Sequence, residues 1–208
     1  MRSASKLWLV AALALAAMAL AAGPAFATTI TPAGDARGEA GPGNLNNGII
    51  SITCQSSVAV ANLATNGDTS INSLTFADCT EDISGATCTV VVDGLPQLAA
   101  TTHDGFPGSN RGVLALTGPP FAGANVDCGT LQCRADSDER LRGEVIGGDG
   151  TTPETRPVLR IVNQPIAVSG DIGCGVGLDG AWNSEWAVTG TGGPGDGTYP
   201  RTDLTIAE

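Results

Sequence analysis

The 208-residue sequence predicts an all-β fold, a single antiparallel β-sandwich of roughly ten short strands stapled by disulfides. Three observations lead there. Runs rich in Val, Ile and Thr recur between turn residues along the chain. No apolar i, i+3, i+4 pattern persists beyond about two turns after residue 27. All six cysteines (54, 79, 88, 128, 133 and 174) lie in the β-rich part, an even number of the kind that forms disulfides outside the cytosol.

Residues 1–27 read as a signal peptide. Arg2 and Lys6 precede the apolar run Leu7–Ala22, which Gly23-Pro24 breaks, and Ala25-Phe26-Ala27 supplies the small-x-small cleavage pattern. The apolar run is short against the span of about 20 residues that a bilayer requires, so the expectation is export, cleavage after Ala27 and no stable membrane insertion afterwards. The expected location is extracellular, with cell-surface association left open.

Thr28–Gly48 is rich in Gly, Pro and Asn with little to bury, and predicts a flexible arm before a β-sandwich domain over 49–208. IISITC and SVAVANLA open that domain, and Asn66-Gly67-Asp68 turns the chain. LTFADC and ATCTVVV then flank the turn TEDISG as a hairpin. LPQLAATT is a weaker strand, with Pro96 at its start or on an edge. A loop HDGFPGSNRG, the strand VLALTG, a small hairpin ANVDCGTLQCRA and the run LRGEVIGG follow. VLRIVNQPIAV, interrupted by Pro165, is the strongest β run of the second half. Cys174 sits in a glycine-rich loop, AWNSEWAVTG is a further strand, and LTIA near the end is a candidate last one.

Hairpin proximity predicts the bridges Cys79–Cys88 and Cys128–Cys133, because facing strand positions meet disulfide geometry, and Cys54–Cys174 follows by elimination. Cys79 lies on the opposite strand face from Leu74 and Phe76, which assigns it to the loop if alternation is strict. Loop-closure entropy then gives about 2 to 3 kcal/mol for each local bridge and about 5 for the long one.

Composition narrows the function. Acidic residues number 21 against 10 basic ones, and both Lys6 and Arg2 leave with the leader, so arginine is the only strong base of the mature chain. A nucleic-acid partner is disfavoured, since phosphate binding needs a basic footprint. His103, Asp104 and Ser109 share one loop, but G-x-S-x-G fails at Pro107 and the alternating strands and helices of that hydrolase fold are absent. Asp136-Ser137-Asp138-Glu139 is the densest carboxylate run, yet Arg140 stands where a third calcium ligand belongs. Cys128 and Cys133 have C-x4-C spacing, unlike the close pairs of zinc sites. No catalytic residue, metal ligand or cofactor is assigned. Trp182 and Trp186 share a strand face with Ser184. They are read first as core, and alternatively as a platform for an apolar or sugar ligand.

The succession SLTFADC, CTV, a C-x4-C hairpin, NQPIAVSG, a glycine-flanked cysteine and AWNSEWAVT resembles a group of small secreted bacterial β-rich, disulfide-containing proteins of unassigned activity. More distantly, the chain is similar to secreted acidic antibiotic-carrier sandwiches. The resemblance implies export, disulfides and an all-β fold, and no functional residues. The expected function is a non-catalytic extracellular or cell-surface module with a protein or small-molecule partner. Binding of a small apolar or carbohydrate ligand is the alternative, and extracellular hydrolysis the third.

Overall fold

The computed structural model describes residues 28–148, 156–175, 179–189 and 204–208. The predicted leader lies outside the described residues, as do residues 149–155, 176–178 and 190–203. Fourteen strands and one 3-10 turn make up the described secondary structure, and no described helix is long and apolar enough to cross a membrane.

β-branched, alternating runs produce two long hairpin partners. β4 (Ser51–Leu63) pairs with β5 (Asp68–Glu81) from Leu63↔Thr69 to Ile52↔Glu81. Their turn needs Gly67, whose φ is +89° and whose added Cβ would run into the Thr101 carbonyl oxygen. β12 (Val158–Gly170) pairs with β13 (Asp179–Thr189). β2 (Gly34–Ala40) and β3 (Gly43–Asn46) lie end to end between β13 and β4, bonding to both.

Two three-stranded ribbons then close the sheet on itself. β7 (Gln97–His103), β8 (Arg111–Leu116) and β11 (Arg142–Ile146) join the first halves of β5 and β12. β6 (Thr87–Asp93), β9 (Gly123–Asp127) and β10 (Gln132–Asp136) join their second halves. With β2 and β3 as one position, either circuit is an eight-stranded closed barrel. Eight strands leave an interior just wide enough for side chains or one small ligand.

Both ends are plugged. At one, β1 (Thr29–Thr31) pairs with β14 (Thr205–Ala207), burying Ile30, Leu204 and Ile206. The Ile206 amide donates to Asn110 Oδ1 at 2.7 Å, and the His103 amide to Thr28 Oγ1 at 2.9 Å. At the other, all six cysteines pack with Ile50, Ile52, Val126 and Val168.

Four expectations are corrected. The all-β class holds, but the architecture is a closed barrel with additional strands, not a sandwich. Period-two alternation is the same in both, and closure depends on β5 and β12 each serving two ribbons. Residues 28–48, expected to be a flexible arm, instead contribute β1, β2 and β3. Their Gly, Ala and Asn side chains bury little by themselves, and the backbone ladders to β4, β13 and β14 order them. The expected bridges Cys79–Cys88, Cys128–Cys133 and Cys54–Cys174 are replaced by Cys54–Cys79, Cys88–Cys128 and Cys133–Cys174. Cys79 does face Cys88 across β5 and β6, but it also faces Cys54 across β4, and the bond forms on that side. Finally, Cys79 belongs to the strand. Asp78 adopts φ +51°, the alternation resets there, and Cys79 is 1% exposed although Phe76 also points inward.

Candidate functional site: an apolar cavity in the barrel

Inward positions of facing strands surround a cavity of about 150 Å³. β5 supplies Leu74 and Phe76, β6 supplies Val90 and Val92, and β8 supplies Leu114 and Leu116. Leu159, Ile161 and Ile166 come from β12, and Trp182 and Trp186 from β13. Apolar space of this volume stays dry in proteins and accepts a benzene-sized guest.

Trp186 is core, only 2% exposed, whereas Trp182 is half-buried and lines the cavity. Their rings meet edge to face at 5.4 Å between centroids, and Phe76 stands 6.3 Å from Trp182. Such edge-to-face contacts fix ring orientation beyond what area burial alone does. Gln97, which also lines the cavity, is internally satisfied: its Oε1 accepts from the Ala122 amide at 2.8 Å and its Nε2 donates to the Leu98 carbonyl at 2.8 Å. Ser137 Oγ donates to the Ala122 carbonyl at 2.6 Å. By contrast, Trp186 Nε1 and Ser184 Oγ are buried with no hydrogen-bond partner.

The structure also places the candidates for other chemistry. His103 is buried beside Ser109, but Ser109 Oγ donates to Asp104 Oδ2 at 2.7 Å rather than to the imidazole. His103 Nε2 faces the Ser109 carbonyl oxygen at 3.0 Å, and Nδ1 accepts from the Gly105 amide at 3.0 Å. Both ring nitrogens are thus engaged by backbone, and the imidazole does not accept from the hydroxyl as a triad requires. The Ser109 hydroxyl holds the Asp104 carboxyl below its ordinary range, helped by the Phe106 amide.

In the carboxylate run, Arg134 Nε meets Asp136 at 2.8 Å and Arg140 meets Asp138 at 2.7 Å. Arg140 also pairs with Asp179, and its hydrogen bonds lower the carboxyls of both Asp138 and Asp179. No cluster of three His, Cys, Asp or Glu side chains arranged for a metal occurs among the described residues.

Sequence reasoning singled out the two tryptophans and placed Ser184 on their face. It missed Phe76, Ile161 and Gly43 as parts of the same wall. The interruption at Gly41-Pro42 was the available signal.

No curated protein and no solved structure matches the chain. A family described as "Alkane oxidation protein activator PraA/PraB-like" matches residues 1–129, more than half of the sequence. The match ends just after Cys128, so it includes β1 to β9 and stops before Trp182 and Trp186. The chain belongs to the PraA/PraB-like family of alkane oxidation protein activators.

Proposed function

We propose that the protein is an exported, non-catalytic barrel that takes a small apolar molecule into its interior. The observation that carries this reading is the cavity, walled by Leu, Ile, Val, Phe and Trp side chains. The family description, which concerns alkane oxidation, points to the same ligand chemistry. A carbohydrate is disfavoured, because each buried sugar hydroxyl would need a polar partner that the lining does not provide. Hydrolysis is disfavoured by the backbone engagement of both His103 nitrogens. Three disulfides are consistent with an oxidising compartment. Intact mass of exported material should match residues 28–208.

The binding test is titration of the oxidised mature protein with n-hexane, a guest near the size of the cavity. At a hundredfold excess over Kd, mass action stabilises the fold by about 2.7 kcal/mol, or roughly 5 to 10 °C in Tm for a chain of this size. Emission from Trp182 and Trp186, the only tryptophans after the leader, should change in step. Constant Tm and emission up to saturation would remove the proposal.

A second reading, an interaction module, is favoured by the surface of the cystine end. Ile49, Ile83 and Ile172 are 52%, 67% and 96% exposed there. Their loops are tied together by the Asp82 amide to the Ser51 carbonyl and by Asn47 Nδ2 to the Cys174 carbonyl. Replacing the three with serine should abolish association with the cell-wall fraction while leaving hexane binding intact. Unchanged fractionation would dismiss this second reading.

A further inference from the structure

The cavity has a weak point in its wall, centred on Ser184. On one side of β13, pairing with β2 ends at Trp186↔Ala40 and resumes with β3 at Asn183↔Asn44. Gly41-Pro42 interrupts the strand between them, so Ser184 and Glu185 have no ladder partner there. On the other side, Ile161 faces Ser184 and Gln164 faces Trp182, which leaves one extra β12 residue in a bulge. Asn163 takes φ +49° in that bulge, and its amide donates to Asn183 Oδ1 at 2.8 Å. Bulges commonly re-aim side chains beside functional sites.

An outer groove lies over this gap, lined by Pro42, Val162, Asn183 and Ser184 among others. It shares Gly43, Asn44 and Ile161 with the internal cavity, so those three residues form the partition between them. Gly43 keeps the partition thin: a Cβ there would stand 3.0 Å from Ser184 Oγ and 3.1 Å from the Asn183 carbonyl oxygen.

Two orphan polar groups lie on β13, two residues apart on its inward face. Ser184 is 7% exposed and lines the groove, and Trp186 is 2% exposed and lines the cavity. Neither Ser184 Oγ nor Trp186 Nε1 has a hydrogen-bond partner, although both are buried. Buried donors in native proteins are almost always paired, and an unpaired one is a standing cost. Alanine and phenylalanine would fill these positions without that cost if the interior took only hydrocarbon.

Resting on the reading of the cavity as an apolar-ligand site, we infer that the ligand is a neutral alkyl chain bearing a terminal hydroxyl. The chain lies in the cavity and the hydroxyl sits at the Ser184 gap. The indole N–H only donates, and a serine hydroxyl donates and accepts, so together they match a group that does both. A carboxylate fits less well. The nearest groove cation, Arg160, is already paired with Glu185 at 2.7 Å and Glu144 at 3.7 Å, and burying an unpaired charge is costly.

Calorimetric titration of the oxidised mature protein with 1-hexanol, n-hexane and hexanoate tests the inference, using wild type, Ser184→Ala and Trp186→Phe. Loss of one hydrogen bond should weaken 1-hexanol about tenfold in Ser184→Ala, with n-hexane unchanged within about twofold. Trp186→Phe, which reshapes the cavity wall for both ligands, should weaken 1-hexanol more than n-hexane, and hexanoate should bind wild type more weakly than 1-hexanol. Unliganded Ser184→Ala should melt no lower than wild type, since it loses an unpaired hydroxyl. Equal loss for hexanol and hexane, or no loss for either, would overturn the hydroxyl site. If n-hexane binds and 1-hexanol does not, the inference fails while the cavity reading stands. If neither binds, both fall.

Discussion

Deleting the disulfides one at a time, as paired alanine substitutions, distinguishes the observed connectivity from its neighbours. The bridges Cys54–Cys79, Cys88–Cys128 and Cys133–Cys174 span 25, 40 and 41 residues. Loop-closure entropy gives about 3.5 kcal/mol for the first and about 3.9 for each of the others. All six cysteines are at most 7% exposed, so each pair also removes a similar volume of buried sulfur, and that contribution nearly cancels between variants. The three double variants should therefore lose similar stability. At 2 to 4 °C per kcal/mol for a chain of this length, the entropy loss alone is about 7 to 16 °C in Tm. With Cys128–Cys133 and Cys54–Cys174 paired instead, the same reasoning gives a spread from about 2 to about 5 kcal/mol. Thiol counting makes the difference qualitative. In denaturant and without reductant, each double variant should contain no free thiol, because each removes both ends of one bridge. If Cys54→Ala/Cys79→Ala released thiols at Cys88 and Cys174, the register argument for Cys54–Cys79 would be wrong.

Five further outcomes follow from the geometry. The Glu81 carboxylate accepts from the Ile83, Ser84 and Ala86 amides at 2.7, 2.8 and 3.1 Å and from the Ser84 hydroxyl, which, with the Ser84 hydroxyl foremost, lowers its pKa from 4.5 to about 2. Its stabilising contribution is complete above pH 4.5 and is lost as pH falls towards 2, so Glu81→Gln should be less stable than wild type at neutral pH, with the gap closing in acid melts. Trp186→Ala should cost about 3 to 5 kcal/mol in denaturant unfolding. Acrylamide should quench Trp186, alone in Trp182→Phe, less than Trp182, alone in Trp186→Phe; equal quenching would contradict the burial. Gly43→Val should crowd Ser184 Oγ and weaken 1-hexanol more than n-hexane in calorimetric titration, and equal effects on the two would contradict a hydroxyl placed at the Ser184 gap. Calcium should leave Tm unchanged, because Asp136 and Asp138 are held by Arg134 and Arg140, and a saturable rise would show that calcium displaces those arginines.

Much of the strand content was legible because it depends on local preference. LTFADC and ATCTVVV became β5 and β6, ANVDCGTLQCRA became the β9–β10 hairpin, and AWNSEWAVTG became β13. The inward face shared by Trp182, Ser184 and Trp186 follows from alternation alone. The arm was misread because Gly, Ala and Asn in 34–46 carry no apolar pattern, and their order comes from backbone bonds to strands distant in sequence. The bulge at Val162-Asn163 was equally hidden, since its effect on phase appears only against β13.

Side-chain chemistry by itself determined that this chain is all-β, that its cysteines form disulfides and that its tryptophans point to one face. Tertiary structure decided that the sheet closes into a barrel, because β5 and β12 each divide their length between two ribbons. It also decided which cysteines join. Cys79 has Cys54 across one ladder and Cys88 across the other, and a sulfur can bond only once. Cys88 accordingly pairs with Cys128 on the next ladder, leaving Cys133 for Cys174. Strand propensity is a property of a few consecutive residues, whereas this choice depends on five segments meeting at one end of the barrel.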